Sequence, residues 1–128
     1  MPDTKVLVVD DSSTMRRIII SSLNKLQFNR VAQASDGVDA LEKLDADIGL
    51  VITDWNMPEM DGLEFVNTVR KDPQFAKLPV IMLTTEAGKS EIAEAVKMGV
   101  SDYIVKPFTI KVLRDKIQSA LSVELAEI

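Results

Sequence analysis

The sequence predicts a doubly wound α/β domain: a five-stranded parallel sheet in the order 2-1-3-4-5, with five helices on its two faces. Three observations predict it. Short apolar, β-branched runs alternate five times with segments of helical periodicity, and parallel strands need such crossovers. The runs are apolar nearly throughout, as strands buried on both faces are. No repeat, low-complexity stretch or linker interrupts the pattern, and 128 residues support one domain with one core. Five strands fit the order 2-1-3-4-5, one of two common for such sheets.

The elements follow in turn. Lys5 to Val9 reads as the first buried strand and ends in Asp10-Asp11. Ser12 or Ser13 can cap a helix running to about Gln27, with Met15, Ile18, Ile19, Leu23 and Leu26 as its buried face. Arg30 to Ala34 is a weak second strand. Asp36 caps a helix to about Leu44, with Ala40, Leu41 and Leu44 inward. Gly49 to Thr53 is the third strand. Leu63, Val66 and Val69 set a third helix, which ends before Asp72-Pro73. Pro79 to Leu83 is the fourth strand, followed by Thr84-Thr85. A loop with Gly88 leads to a fourth helix carrying Ile92, Ala95 and Val96, and Gly99 is placed to end it. Asp102 to Val105 is the fifth strand, followed by Lys106-Pro107. Thr109 can cap the last helix, with Ile110, Leu113, Ile117 and Leu121 inward.

Composition removes several classes of function. The chain is 46% hydrophobic and 27% charged, as globular proteins are, with a net charge of −5 and no long Lys/Arg run. A nucleic-acid footprint is therefore not expected. With no cysteine and no histidine, disulfides, thiolate metal sites and His-based triads are impossible, which leaves oxygen ligands for any metal. The N-terminus is not a signal peptide, and no apolar run is long enough to span a bilayer, so a cytoplasmic location without membrane association is expected.

The informative stretch is Val51-Ile52-Thr53-Asp54-Trp55-Asn56-Met57-Pro58-Glu59-Met60-Asp61-Gly62. It delivers Asp54 to the carboxyl end of a buried strand, on a loop of turn formers, where ligands bind in parallel α/β sheets. In the predicted order the first and third strands are neighbours ~4.8 Å apart, so Asp10, Asp11 and Asp54 share one small site. Two carboxylates ~4 Å apart repel by about 4 kcal/mol at an effective dielectric near 20. Such a cluster calls for a cation, and hard oxygens suit Mg²⁺ or Ca²⁺. An acidic Mg²⁺ site on a loop suggests phosphoryl chemistry. Thr84 and Lys106, at the ends of the fourth and fifth strands, can offer a hydroxyl and an ammonium to phosphoryl oxygens. Asp54 is then the nucleophile that becomes an acyl phosphate.

Singly, each of these residues has an ordinary reading. Asp10 and Asp11 can be helix caps, Asp54 a turn residue, Thr84 a strand end and Lys106 a solvated lysine. Tyr103 can be a strand aromatic, Met57 and Met60 packing residues, and Arg16 and Arg17 a solvated helix face. What outweighs these readings is that four strands deliver their groups to one edge.

Asp10-Asp11 after the first strand, Asp54-Trp55-Asn56-Met57-Pro58-x-Met60-Asp61-Gly62 after the third, Thr84 after the fourth and Lys106-Pro107-Phe108 after the fifth resemble the receiver domain of bacterial response regulators. The resemblance runs from about Lys5 to the last helix. Asp10-Asp11-Ser12-Ser13-Thr14-Met15-Arg16-Arg17, Asp54-Trp55-Asn56 and Tyr103-x-x-Lys106-Pro107-Phe108 look most like chemotaxis regulators of the CheY type. CheY itself has the strand order used above, so that order counts within the resemblance.

The resemblance implies that Asp54 accepts a phosphoryl group from a phosphohistidine on a chemotaxis-type histidine kinase. It implies Mg²⁺ held by Asp11, Asp54 and the Asn56 backbone carbonyl, with Asp10 acting mostly through water. Thr84 and Lys106 would contact the phosphoryl group. Movement of Thr84 would let Tyr103 turn inward and change the face made by the fourth helix, fifth strand and fifth helix. Asn56 and Glu86 would tune hydrolysis, and the Lys106–Pro107 bond would be cis. Thr85 follows Thr84 directly, so spacing alone selects between the two hydroxyls. Residues 1–128 are expected to form a single receiver domain with no output domain, a monomer acting through protein partners: the kinase, the flagellar motor switch and a phosphatase.

Three rival readings have discriminating features. A haloacid-dehalogenase-type aspartyl-phosphate hydrolase typically has a second acid where this chain has Asn56. A flavin-binding electron carrier needs an anion-accepting loop where this chain has Asp10-Asp11. A phosphorelay or adaptor receiver outside chemotaxis would share the chemistry and differ in its partner.

Overall fold

The computed structural model describes residues 3–85 and 89–122. Among them, five strands are β1 (Lys5–Val9), β2 (Val31–Ala34), β3 (Ile48–Asp54), β4 (Val80–Thr84) and β5 (Asp102–Val105). All pair in parallel, in the order β2-β1-β3-β4-β5 that the sequence predicts. The helices are α1 (Ser13–Lys25), α2 (Gly37–Lys43), α3 (Gly62–Lys71), α4 (Lys89–Lys97) and α5 (Ile110–Leu121), with one 3-10 turn at Pro73–Phe75. No described helix is long and apolar enough to cross a membrane.

Each strand feeds two cores, because successive side chains point to opposite faces. Leu7, Val9, Val51, Val80 and Met82 join Phe65, Val66 and Val69 of α3 in one layer. Val6, Val8, Leu50, Ile52, Ile81 and Leu83 join Ile19 and Leu23 of α1 and Leu113 and Ile117 of α5 in the other. That double burial is why the runs lack polar alternation. Phe28 and Phe65, fully buried and among the largest core side chains, were not singled out by periodicity.

The helix starts are where capping chemistry puts them. The Ser12 side chain accepts from the Met15 N–H, Asp36 from Asp39 and Thr109 from Val112. Asp61 and Glu64 form a reciprocal capping box at α3. Boundaries shift by a residue or two: β3 extends to Ile48 and Asp54, β4 runs Val80–Thr84, and α1 and α2 end at Lys25 and Lys43. The expected Gly88 loop lies outside the described residues.

Two expected core residues are not in the core. Ile18 is 48% exposed and Val96 64% exposed. Neighbours on a helix are about 100° apart, so Ile18 and Ile19, or Ala95 and Val96, cannot both point at the sheet. Ile19 and Ala95 take the inward positions.

Gly99 ends α4 with a φ of +100°, as its place in the sequence suggests. Its carbonyl accepts from Arg70 Nε (3.0 Å) and Nη2 (2.7 Å), while Arg70 Nη1 donates to the Phe75 carbonyl (2.8 Å). One guanidinium thus ties α3 to the glycine that ends α4 and to the turn before β4. Arg70→Ala strips both side-chain donors from the Gly99 carbonyl and leaves the Phe75 carbonyl with only the Leu78 N–H. It is expected to cost about 1–2 kcal/mol of stability, read as a lower urea midpoint with an unchanged slope.

Candidate functional site

The carboxyl ends of β1, β3, β4 and β5 meet at one edge. Val9 lies beside Thr53, Asp54 beside Leu83 and Thr84 beside Val105, so the register alone makes Asp10, Asp54, Thr84 and Lys106 neighbours. One carboxylate oxygen from each of Asp10, Asp11 and Asp54 lies within 4.8 Å of the others. Lys106 Nζ is 3.0 Å from Asp54 Oδ1 and 3.6 Å from Asp10 Oδ2. Asp54 Oδ1 also accepts from the Trp55 N–H at 2.9 Å. Asp54 is 8% exposed, Thr84 2% and Asp10 1%. The Lys106–Pro107 bond is cis, and the Lys106 N–H donates to the Thr84 carbonyl at 2.8 Å.

The Lys106 ammonium is ion-paired with two of these three carboxylates. Burial pushes the Asp10 carboxyl above its ordinary value; the Ser12 N–H and Lys106 oppose this, and Asp54 and Asp11 reinforce it. Asp10 Oδ2 is buried without a hydrogen-bond partner. A buried orphan oxygen within a set of hard oxygen donors fits a small divalent cation such as Mg²⁺. Because its folded-state pKa is raised, Asp10 costs stability at neutral pH, and that cost fades as pH falls through the raised value. Asp10→Asn in EDTA is therefore expected to raise the thermal midpoint above wild type at neutral pH, and that difference should shrink as pH falls through the raised value, because wild type then protonates Asp10 and recovers the cost.

The structure places the other predicted residues as follows. Thr84 is buried at the end of β4 whereas Thr85 is exposed, which distinguishes the two hydroxyls. Thr84, Trp55, Asn56 and Glu91 line a cavity of about 140 Å³. Asn56 is exposed on the loop after β3. Tyr103, half-buried in β5, packs against the α3-side core. Lys116 Nζ sits 5.1 Å from the centre of its ring and donates to Asp102 Oδ1 at 2.9 Å. Met57 and Met60 pack against the same core, as packing residues do. Ser12, not either aspartate, caps α1. Glu86 lies outside the described residues.

Arg16 corrects the reading of a solvated helix face. Its Nη1 donates to the Asp10 backbone carbonyl at 2.5 Å and its Nε to Gln33 Oε1 at 3.1 Å. Arg17 is exposed. The available signal was directional: helical side chains lean toward the N-terminus, so an arginine one turn inside α1 reaches back over the end of β1.

Residues 6–118 match the response regulator receiver domain. The chemotaxis protein CheY1 of Helicobacter pylori (strain ATCC 700392 / 26695) is 56% identical over 119 residues, covering 91% of this chain and 96% of the relative. The chemotaxis protein CheY homolog of Campylobacter jejuni (strain 81-176) is 52% identical over 119 residues, covering 91% and 92%. Among solved structures, the Vibrio cholerae chemotaxis response regulator CheY4 superposes with a TM-score of 0.84 at 36% identity, covering 92% of this chain and 98% of that one. A chain of the CheX-CheY-BeF3-Mg complex from Borrelia burgdorferi has a TM-score of 0.85 at 25% identity, covering 91% and 87%.

Proposed function

We propose that this chain, which belongs to the response regulator receiver domain family, carries a chemotaxis signal by accepting a phosphoryl group on Asp54. The observation that carries the reading is the Lys106 ammonium 3.0 Å from Asp54 Oδ1, with the orphan Asp10 Oδ2 beside it. The CheY relatives support chemotaxis over another signalling role.

In this reading an Asp54 carboxylate oxygen attacks phosphorus. The bond from phosphorus to the donor imidazole breaks, and its electron pair leaves with the imidazole. Oδ1 is already held by the Trp55 N–H and Lys106, so the carboxylate is aimed before the donor arrives. Lys106 neutralises one phosphoryl oxygen, and the Thr84 hydroxyl, at the adjacent strand end, accepts the role of donor to another. Asp10, Asp11, Asp54 and the Asn56 carbonyl would hold Mg²⁺, which supplies positive charge to the transferring oxygens when bound. Asn56 and Glu86 would tune loss of the phosphoryl group to water.

The output would be a population shift of the face made by α4, β5 and α5, with Thr84 drawn toward the phosphoryl group and Tyr103 turning inward. The donor would be a chemotaxis-type histidine kinase and the receiver of the signal the flagellar motor switch, in the cytoplasm. The CheX-CheY complex supports a further protein partner, here proposed as a phosphatase.

Trp55, the only tryptophan, follows Asp54 and reports on the site. A saturable change in its fluorescence with Mg²⁺, then a Mg²⁺-dependent change with acetyl phosphate and the mass of one added phosphoryl group, is expected. An unmodified mass at saturating Mg²⁺ and acetyl phosphate refutes the reading.

A further inference from the structure

We propose that Arg16 is a positioning residue that sets the Mg²⁺ affinity of the acidic site by clamping the backbone between Asp10 and Asp11. The inference rests on the reading of these aspartates as metal ligands. Asp10 has four polar atoms, and three are fixed. Its N–H donates to the Ala34 carbonyl at 3.1 Å. Its Oδ1 accepts from the Ser12 N–H at 2.9 Å. Its carbonyl accepts from Arg16 Nη1 at 2.5 Å. The fourth atom, Oδ2, is the one without a hydrogen bond.

The carbonyl bond matters most, because β1 has ended and the sheet ladder no longer fixes that peptide. The Asp10 carbonyl and the Asp11 N–H belong to one planar unit. Holding the carbonyl therefore sets the direction in which the chain leaves Asp10, and with it the placement of the exposed Asp11 side chain. Arg16 is itself held at its other end. Its Nε donates to Gln33 Oε1, and Gln33 sits in β2 beside Val8 of β1. The backbone N–H of Arg16 donates to the Ser12 carbonyl in the first turn of α1. The guanidinium thus joins α1, β1 and β2 at the point where two of the three carboxylates emerge. A planar fork with fixed donor directions suits a two-point clamp, which a single ammonium cannot reproduce.

Charge alone predicts the opposite effect. A permanent cation beside the cluster repels a second cation, so removing it would tighten Mg²⁺ binding if charge were all that Arg16 supplied. Positioning predicts weaker binding, since loss of an outer-shell partner typically costs 10–100-fold in metal affinity. The sign of the change separates the two.

The test is a Mg²⁺ titration by Trp55 fluorescence on wild type, Arg16→Ala, Arg16→Lys and Gln33→Ala, each with its thermal midpoint in EDTA. Arg16→Ala is expected to weaken Mg²⁺ by about tenfold. Arg16→Lys keeps the charge and loses the fork, so a similar loss is expected; full affinity in Arg16→Lys overturns the proposal. Unchanged or tighter binding by Arg16→Ala also overturns it. Gln33→Ala removes one end of the clamp outside the site and is expected to weaken Mg²⁺ by less than Arg16→Ala does, with wild-type affinity counting against the clamp, which keeps the test decisive should Arg16→Ala fold poorly. At saturating Mg²⁺, phosphorylation of Arg16→Ala by acetyl phosphate is expected to return to the wild-type rate, and a persistent deficit counts against a role through the metal site. A wild-type protein indifferent to Mg²⁺ would instead sink the metal-site reading, and the inference with it.

Discussion

Asp54→Asn is expected to leave the chain unphosphorylated by acetyl phosphate or by a cognate kinase. The amide oxygen keeps its lone pairs but carries no charge and is far less nucleophilic than a carboxylate oxygen, so attack on phosphorus is suppressed. Removing one electrostatic donor from an active site costs about 10²–10³-fold in rate, and here the nucleophile itself is removed. A rate loss above about 10³-fold is therefore expected, read as the absence of the phosphoryl mass increment. The fold should survive, because an asparagine Oδ1 can still accept from the Trp55 N–H that now reaches Asp54 Oδ1. Lys106 retains its ion pair with Asp10. Loss of one charge from a repelling cluster should leave the EDTA thermal midpoint level or higher, so the lost reaction cannot be blamed on unfolding. Phosphorylation of Asp54→Asn at the wild-type rate, on Asp10 or Asp11, would move the nucleophile elsewhere in the cluster.

The experiment also probes how much of the site was legible in the chain. The meeting of Asp10, Asp11, Asp54, Thr84 and Lys106 could be read ahead, because a parallel sheet fixes where strand ends go and each of these residues closes an apolar run. Spacing alone selects Thr84 over Thr85; the structure adds that Thr84 ends β4 and is buried while Thr85 is exposed. Arg16 was misread for a different reason. Its partner at the site is a backbone carbonyl, and every residue has one, so no pattern of residue types announces the bond. Ile18 and Val96 show the same gap in the fold. A helical stripe tells which side is apolar, but only the neighbouring elements decide how far round the helix burial extends. Phe28 and Phe65 sit in the core without standing out in the periodicity, because aromatic size reads as packing only once the space beside it is known.

Gly62→Ala carries the largest expected effect on stability together with an effect on the site. Gly62 opens α3, where alanine would ordinarily gain about 0.5–1 kcal/mol over glycine. Here a Cβ would run into the Asp54 carbonyl oxygen, and would lie 2.8 Å from Met82 Sδ and 3.0 Å from Trp55 Cα. Two of these neighbours are backbone at the end of β3, which the ladder to β4 holds in place. The Gly62 N–H also donates to the Trp55 carbonyl at 2.8 Å, fixing the approach of α3 to the loop. Overpacking typically costs about 1–3 kcal/mol and occasionally more, and unyielding backbone puts this case at the upper end. The net loss is expected to be about 2–3 kcal/mol, read as a lower urea midpoint. What relief is available comes from shifting Asp54 and Trp55, so the folded fraction should also bind Mg²⁺ more weakly. A stable Gly62→Ala protein with wild-type Mg²⁺ affinity would show that α3 can withdraw without moving β3. The close approach of Gly62 would then serve only packing, and the motif's last residue would have no part in aiming Asp54.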